Sequence, residues 1–204
     1  MEAGFHGVVL ALGLILPLGV QNVFVFTQGA TQPTLWRAMP VVLTAALCDT
    51  ILILVAVLGV SLVVLTFGWL TRVLYLTGFL FLLYMGYQTW KSAPAPQGDD
   101  TERFPPRKQV AFAASVSLLN PHAILDTIGV IGTSSLHYAG GEKWAFAGAC
   151  ILVSWLWFFV LSVAGRTAGR LDRSGKLLRS LNVISACIIW AVALFMGVQL
   201  FTHL

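Results

Sequence analysis

Two aspartates stand inside otherwise apolar sequence, Asp49 in AALCDTILI and Asp126 in LNPHAILD. An ionised carboxylate facing hydrocarbon costs of order 3 kcal/mol on insertion scales, so each acid is expected to point at a cavity or a partner. Their neighbours fit that orientation. At helical spacing Asp49 shares a face with Ala45, Ala46 and Ala56, and Asp126 with Ala123 and Gly129, small residues that permit close helix approach. No Lys or Arg occupies the middle of an apolar run, since Arg72 and Lys143 fall at run ends, so the chain supplies neither acid with an internal counter-charge. A cargo with a basic side chain would provide one, and so would a proton. The alternative is a protonated carboxyl hydrogen-bonded to Asn22, Asn120 or a backbone carbonyl.

Amides and prolines gather near the same places. ILPLGVQN holds Pro17 and Gly19 and ends in Gln21 and Asn22; LNPHAILD holds Asn120, Pro121 and His122 before Asp126. A proline removes a backbone donor and collides with the preceding turn, freeing carbonyls that lipid cannot satisfy. Helix breaks are therefore expected at Pro17 with Gly19 and at Pro121. Half-helix ends carry partial charges, positive at N-termini and negative at C-termini, that suit the carboxylate and ammonium of a zwitterion. Gln21, Asn22 and Asn120 would either hold such a cargo or cap the broken helices. His122 is a candidate proton relay, with a histidine satisfied by a backbone group as the alternative. Trp155 and Trp157, in SWLWFF, would wall a cation site or fill packing space.

The elements that must position these residues follow from composition. Of 204 residues 58% are hydrophobic and 10% charged, and the mean hydropathy is +0.86, outside the range of soluble domains. Spanning helices need about 20 apolar residues. Six stretches qualify, near 4–29, 38–65, 70–90, 109–133, 144–165 and 181–202. MEAGFHG lacks the basic start of a secretory signal and reads as part of a retained first helix. Cys48, Cys150 and Cys187 stand singly, without the spacing of a disulfide framework or a zinc site, so no metal site or cofactor is expected.

The polar, proline-rich segment 91–108 divides the chain into three spans, 1–90, and three more, 109–204. Three is odd, so the halves enter the membrane from opposite sides, as in two inverted three-helix repeats whose first helices are both broken. Arg37, Lys91, Arg103, Arg107, Lys108, Arg166, Arg170, Arg173, Lys176 and Arg179 fall in the connections after the first, third and fifth spans, against Arg72 and Lys143 elsewhere. By the positive-inside rule those connections are cytoplasmic and both termini lie outside. The basic run 166–179 then anchors topology beside anionic lipid and calls for no nucleic acid. Glycines at 59, 78, 86, 129, 132, 148 and 165 would pack helices within one chain or in a homo-oligomer.

ILPLGVQNVFVFTQG, ALCDTILI, LLNPHAILDTIGVIG and WLWFF, in this order over nearly the whole chain, resemble the LysE family of amino-acid exporters, most closely its arginine-exporter branch. The resemblance implies a six-helix inner-membrane transporter that expels arginine or lysine using the proton motive force. The family's P-x-G-P-Q-N pattern falls on Pro17, Gly19, Val20, Gln21 and Asn22, with Val20 where the family has proline; its N-P-x-x-x-L-D pattern falls on Asn120, Pro121, Leu125 and Asp126. Beside this resemblance, the residues themselves offer Gln21, Asn22, Asp49, Asn120 and Asp126 as candidates for cargo, with Asp49, Asp126 and His122 as candidates for proton coupling. The same fold carrying neutral amino acids is the nearest rival. A divalent metal exporter using Cys48, Asp49, His122 and Asp126 is a second. An intramembrane aspartyl protease is a third, although the chain lacks GxGD.

Overall fold

A computed structural model describes residues 2–16, 19–59, 104–120, 123–124 and 127–171, with scattered positions between 73 and 90 and between 180 and 198. Pro17, Pro121, His122, Leu125 and Asp126 lie outside the described residues. Those described form helices and no strand: α1 (Glu2–Ile15), α2 (Val20–Thr31), α3 (Leu35–Val57), α4 (Pro106–Leu118), a π-helical stretch (Thr127–Gly132), a short turn α5 (Thr133–Ser135), and α6 (Gly140–Leu171). Among the described residues α3 and α6 are each long and apolar enough to cross a membrane, and α1 with α2 makes a third span if the bent pair is counted as one.

Local chemistry sets the limits of these helices. Thr34 caps α3, its hydroxyl accepting from the Arg37 N–H at 3.3 Å. The helix stops before Gly59, whose φ of 82° suits a residue without Cβ. α3 is therefore shifted towards its N-terminus relative to the apolar stretch 38–65. Its 23 residues span about 35 Å, enough for a hydrocarbon core of about 30 Å. α6 has 32 residues, about 48 Å, and outruns the stretch 144–165 at both ends.

α6 packs against α1, α2 and α3, while α3 also packs against α4 and the π-helical stretch. Large residues face outward on both long helices: Leu43, Leu47 and Ile51 on α3, Leu152, Leu156 and Val160 on α6. Small ones face inward, including Ala38, Ala45, Ala46 and Ala56, an arrangement suited to lipid outside and close packing inside. The seam between α2 and α6 is built on glycine. A Cβ on Gly29 would strike the Ser162 carbonyl, and one on Gly165 or Gly169 would strike the carbonyl of Phe26 or Ala30. Gly165 thus serves packing within the chain. Gly148 meets nothing within 4 Å.

The two ends of this body differ. At one end the Arg166 guanidinium donates to the carbonyls of Gln32 (3.3 Å) and Pro33 (3.0 Å), satisfying and neutralising the end of α2. Gln109 Nε2 donates to the carbonyls of Arg37 and Phe104, both at 2.9 Å. These bonds draw the starts of α3 and α4 and the ends of α2 and α6 together, with Arg37, Arg107, Lys108, Arg166 and Arg170 on or beside them. At the opposite end His6 Nδ1 lies 2.8 Å from the Tyr138 hydroxyl, and both rings pack on Phe146.

Candidate functional site

The first span is interrupted between Ile15, the end of α1, and Val20, the start of α2. The Leu16 N–H still donates to the Leu12 carbonyl at 3.0 Å, the Val23 N–H donates to the Gly19 carbonyl at 3.1 Å, and the axes of α1 and α2 differ by 80°. Gly19 caps α2 in extended backbone, φ −83° and ψ 172°, with no side-chain hydrogen bond to the cap. Such an interruption leaves the last carbonyls of α1 without helical donors. Asn22 supplies one: its Nδ2 reaches back to the Ile15 carbonyl at 2.7 Å, and its Oδ1 accepts from Trp157 Nε1 at 3.3 Å. Asn22 is buried, and it joins α1, α2 and α6 across the break.

Its neighbour Gln21 faces α3. Gln21 Nε2 donates to Asp49 Oδ1 at 3.2 Å, so the polar end of the first motif meets the acid of the second span. Asp49 lies about 21 Å along α3 from Leu35, well inside membrane depth, and is half-buried. Ser154 of α6 stands beside the same carboxyl. Next to Asp49, Thr50 donates to the Ala46 carbonyl at 2.7 Å and accepts from Trp155 Nε1 at 3.0 Å. An acid in the middle of a membrane helix is thus held by an amide and a hydroxyl, both neutral. Arg37, the Lys or Arg of α3, is twelve residues away and about 18 Å along the axis.

The helical path is also interrupted after α4. The Leu119 N–H donates to the Ser115 carbonyl at 2.9 Å, ending α4, and beyond the interruption the Ile124 N–H donates to the Asn120 carbonyl at 3.1 Å. Asn120 is half-buried. The chain continues as the π-helical stretch against α3, where Ile128 packs with Ala56 and Ile124. Of the residues suggested as metal ligands, Cys48 turns to Ser117 on α4, whereas its neighbour Asp49 turns to Gln21.

Sequence reasoning placed Gln21, Asn22 and Asp49 in one site without separating their contacts. It did not find Ser154, nor the indole bonds of Trp155 and Trp157. Both tryptophans engage polar partners through N–H, a use that two indoles deep in a span invite, because a buried indole needs an acceptor. It also missed the glutamine cluster at the basic end, where Gln32 Nε2 donates to Gln28 Oε1 and the Phe104 carbonyl, both at 3.1 Å.

Comparison with known proteins decides the family. The model of the LysE type translocators matches residues 12–200. The chain belongs to the LysE family. Among its relatives is YisU of Bacillus subtilis (strain 168), which its name proposes as an amino-acid transporter; the two are 57% identical over 203 residues, covering 100% of this chain and 92% of YisU. The arginine exporter protein ArgO of Escherichia coli (strain K12) is 33% identical over 194 residues, 93% of this chain and 90% of ArgO. The ArgO protein of Salmonella paratyphi B is 32% identical over 193 residues, with the same coverage. No solved structure matches the chain. Membership makes this protein a membrane translocator and not an enzyme, which removes the protease reading. The interrupted first span and the Asp49 junction lie within the matched region.

Proposed function

We propose that this LysE-type translocator exports basic amino acids, arginine or lysine, from the cytoplasm, driven by the proton motive force. The observation that carries the proposal is the Gln21–Asp49 junction: a carboxylate at membrane depth whose described partners are neutral. An uncompensated charge there is costly, and the cation of an arginine or lysine side chain would relieve it. The names of the relatives point to amino acids in general and, for the ArgO proteins, to arginine.

In this reading the cargo enters beside the interrupted first span. Its side-chain cation displaces Gln21 from Asp49, and Gln21 and Asn120 then turn to its backbone carboxylate and ammonium. The ends of α1 and α2 favour the same polarity. Asp126 takes and releases the proton that drives export, with His122, four residues earlier in sequence, as a relay. Asn22 keeps the break closed, leaving fewer polar groups for the cargo than the motif alone suggests.

The wider architecture belongs to the same proposal. Residues 1–90 and 109–204 form inverted three-helix repeats around the linker 91–108, making six spans in a cell membrane. The basic end gathered by Arg166 and Gln109 faces the cytoplasm, and both termini face out. A cysteine at Thr34 should react with an impermeant maleimide only from the cytoplasmic side; labelling from outside would reverse the topology.

Transport by the purified protein in liposomes tests the function. Arginine flux that needs a proton gradient, is inhibited by lysine and is unaffected by threonine or leucine is the expected result. Inhibition by threonine or leucine would move the cargo to neutral amino acids, and flux of zinc or cadmium without arginine flux would move it to metals.

A further inference from the structure

Asn22 can bridge α1 and α6 in only one orientation of its amide. Nδ2 must point at the Ile15 carbonyl, because an oxygen there would face another acceptor, and Oδ1 must point at Trp157, because an NH2 group there would face the indole donor. The Ile15 carbonyl, which can only accept, and the Trp157 N–H, which can only donate, select the same orientation from opposite sides of the amide. Gln21 precedes Asn22 in the first turn of α2, and Gln21 holds Asp49 at 3.2 Å. Three helices besides α2 therefore meet through two consecutive side chains: α1 at Ile15, α3 at Asp49 and α6 at Trp157.

We infer that Trp157 is a positioning residue for the cargo site: its indole N–H locks the Asn22 amide onto the Ile15 carbonyl, which fixes the start of α2 and holds Gln21 beside Asp49. α2 has no side-chain cap at Gly19 to do this. Other members of the SWLWFF run serve different ends. Trp155 binds Thr50, Phe158 is buried in the core and Phe159 faces outward. Donors on two sides of α6, Ser154 and Trp155 towards α3 and Trp157 towards α2, place the break and the acid under the control of a single rigid helix. Movement of α6 relative to α2 would then be transmitted to the Gln21–Asp49 contact.

This inference rests on the export reading, and its test separates the two. Trp157→Phe keeps an aromatic ring and removes the donor. One neutral hydrogen bond is worth about 0.5–1.5 kcal/mol, so the apparent KM for arginine should rise about 2- to 12-fold with the maximal rate little changed and the melting temperature lower by only about 1–6 °C. In an Asn22→Ala background the same substitution should have no further effect on KM, because the latch is already lost. A cargo-independent arm uses Val23→Cys in a chain with Cys48, Cys150 and Cys187 replaced: Trp157→Phe should speed its maleimide labelling severalfold by loosening the start of α2. If wild-type liposomes carry no arginine, the export reading fails while the labelling arm still decides the latch. An unchanged labelling rate, or a KM effect of equal size with and without Asn22, would overturn the inference.

Discussion

The α2–α6 seam offers a prediction whose size can be worked from geometry. In Gly165→Ala the added Cβ would fall on the Phe26 carbonyl and 3.1 Å from the Ala30 nitrogen, both backbone atoms of α2 that no rotamer change can move. Restoring an ordinary C···O contact requires the helices to part by roughly 1 Å. Separation loosens the same seam at Gly29 and Gly169 and strains the Asn22–Trp157 bond at the other end of α2. Overpacking of this kind costs about 1–3 kcal/mol. On the scale of soluble domains of this size, about 2–4 °C per kcal/mol, the melting temperature should fall by about 2–12 °C. Gly148→Ala is the matched control on the same helix. Its Cβ meets nothing within 4 Å, so the change should be neutral or stabilising by up to about 1 kcal/mol through helix propensity. Thermal unfolding in detergent, followed by size-exclusion chromatography, reads both. A Gly165→Ala protein as stable as wild type, or a Gly148→Ala protein equally destabilised, would refute the close approach of α2 and α6.

Two further outcomes are expected. Gln21→Leu removes the amide that turns from Asp49 to the charged backbone end of the cargo, a hydrogen bond to a charged group, and should raise the KM for arginine roughly 10- to 100-fold in liposomes while the fold survives; a wild-type KM would remove Gln21 from the site. Arg166→Leu leaves the last carbonyls of α2 without their cation and should lower stability by about 0.3–2 kcal/mol, read as an earlier unfolding midpoint, whereas an unchanged midpoint would mean that solvent caps α2 as well as the guanidinium does.

Much of this arrangement follows from residue types alone. A break in the first apolar stretch is expected from backbone chemistry that needs no tertiary information, and α1 ends at Ile15 while α2 starts at Val20. The inward face of α3 could be read from Ala45, Ala46 and Ala56, all of which are buried. Other features depend on partners remote in sequence. Asn22 and Gln21 are adjacent amides of similar chemistry, and only the positions of α1, α3 and α6 assign one to the break and the other to the acid. The length of α6 is of the same kind. GGEKW and RTAGRL are too polar to register as membrane sequence, yet the second continues the helix because Gly165 and Gly169 pack on α2 and Arg166 serves its end. The π-helical stretch TIGVIG carries no pattern that distinguishes it from an α-helix.

The proposal turns on Asp49 meeting a positive charge, and replacing that charge in the cargo tests it more directly than replacing residues around it. Citrulline has the shape of arginine with a neutral urea in place of the guanidinium. Counterflow of labelled arginine and labelled citrulline should be compared in liposomes carrying wild-type protein and Asp49→Asn. Wild type should carry arginine and discriminate strongly against citrulline, and Asp49→Asn should lose arginine transport while its discrimination collapses or reverses. An Asp49→Asn protein that still prefers arginine as wild type does would show that the cation is met elsewhere.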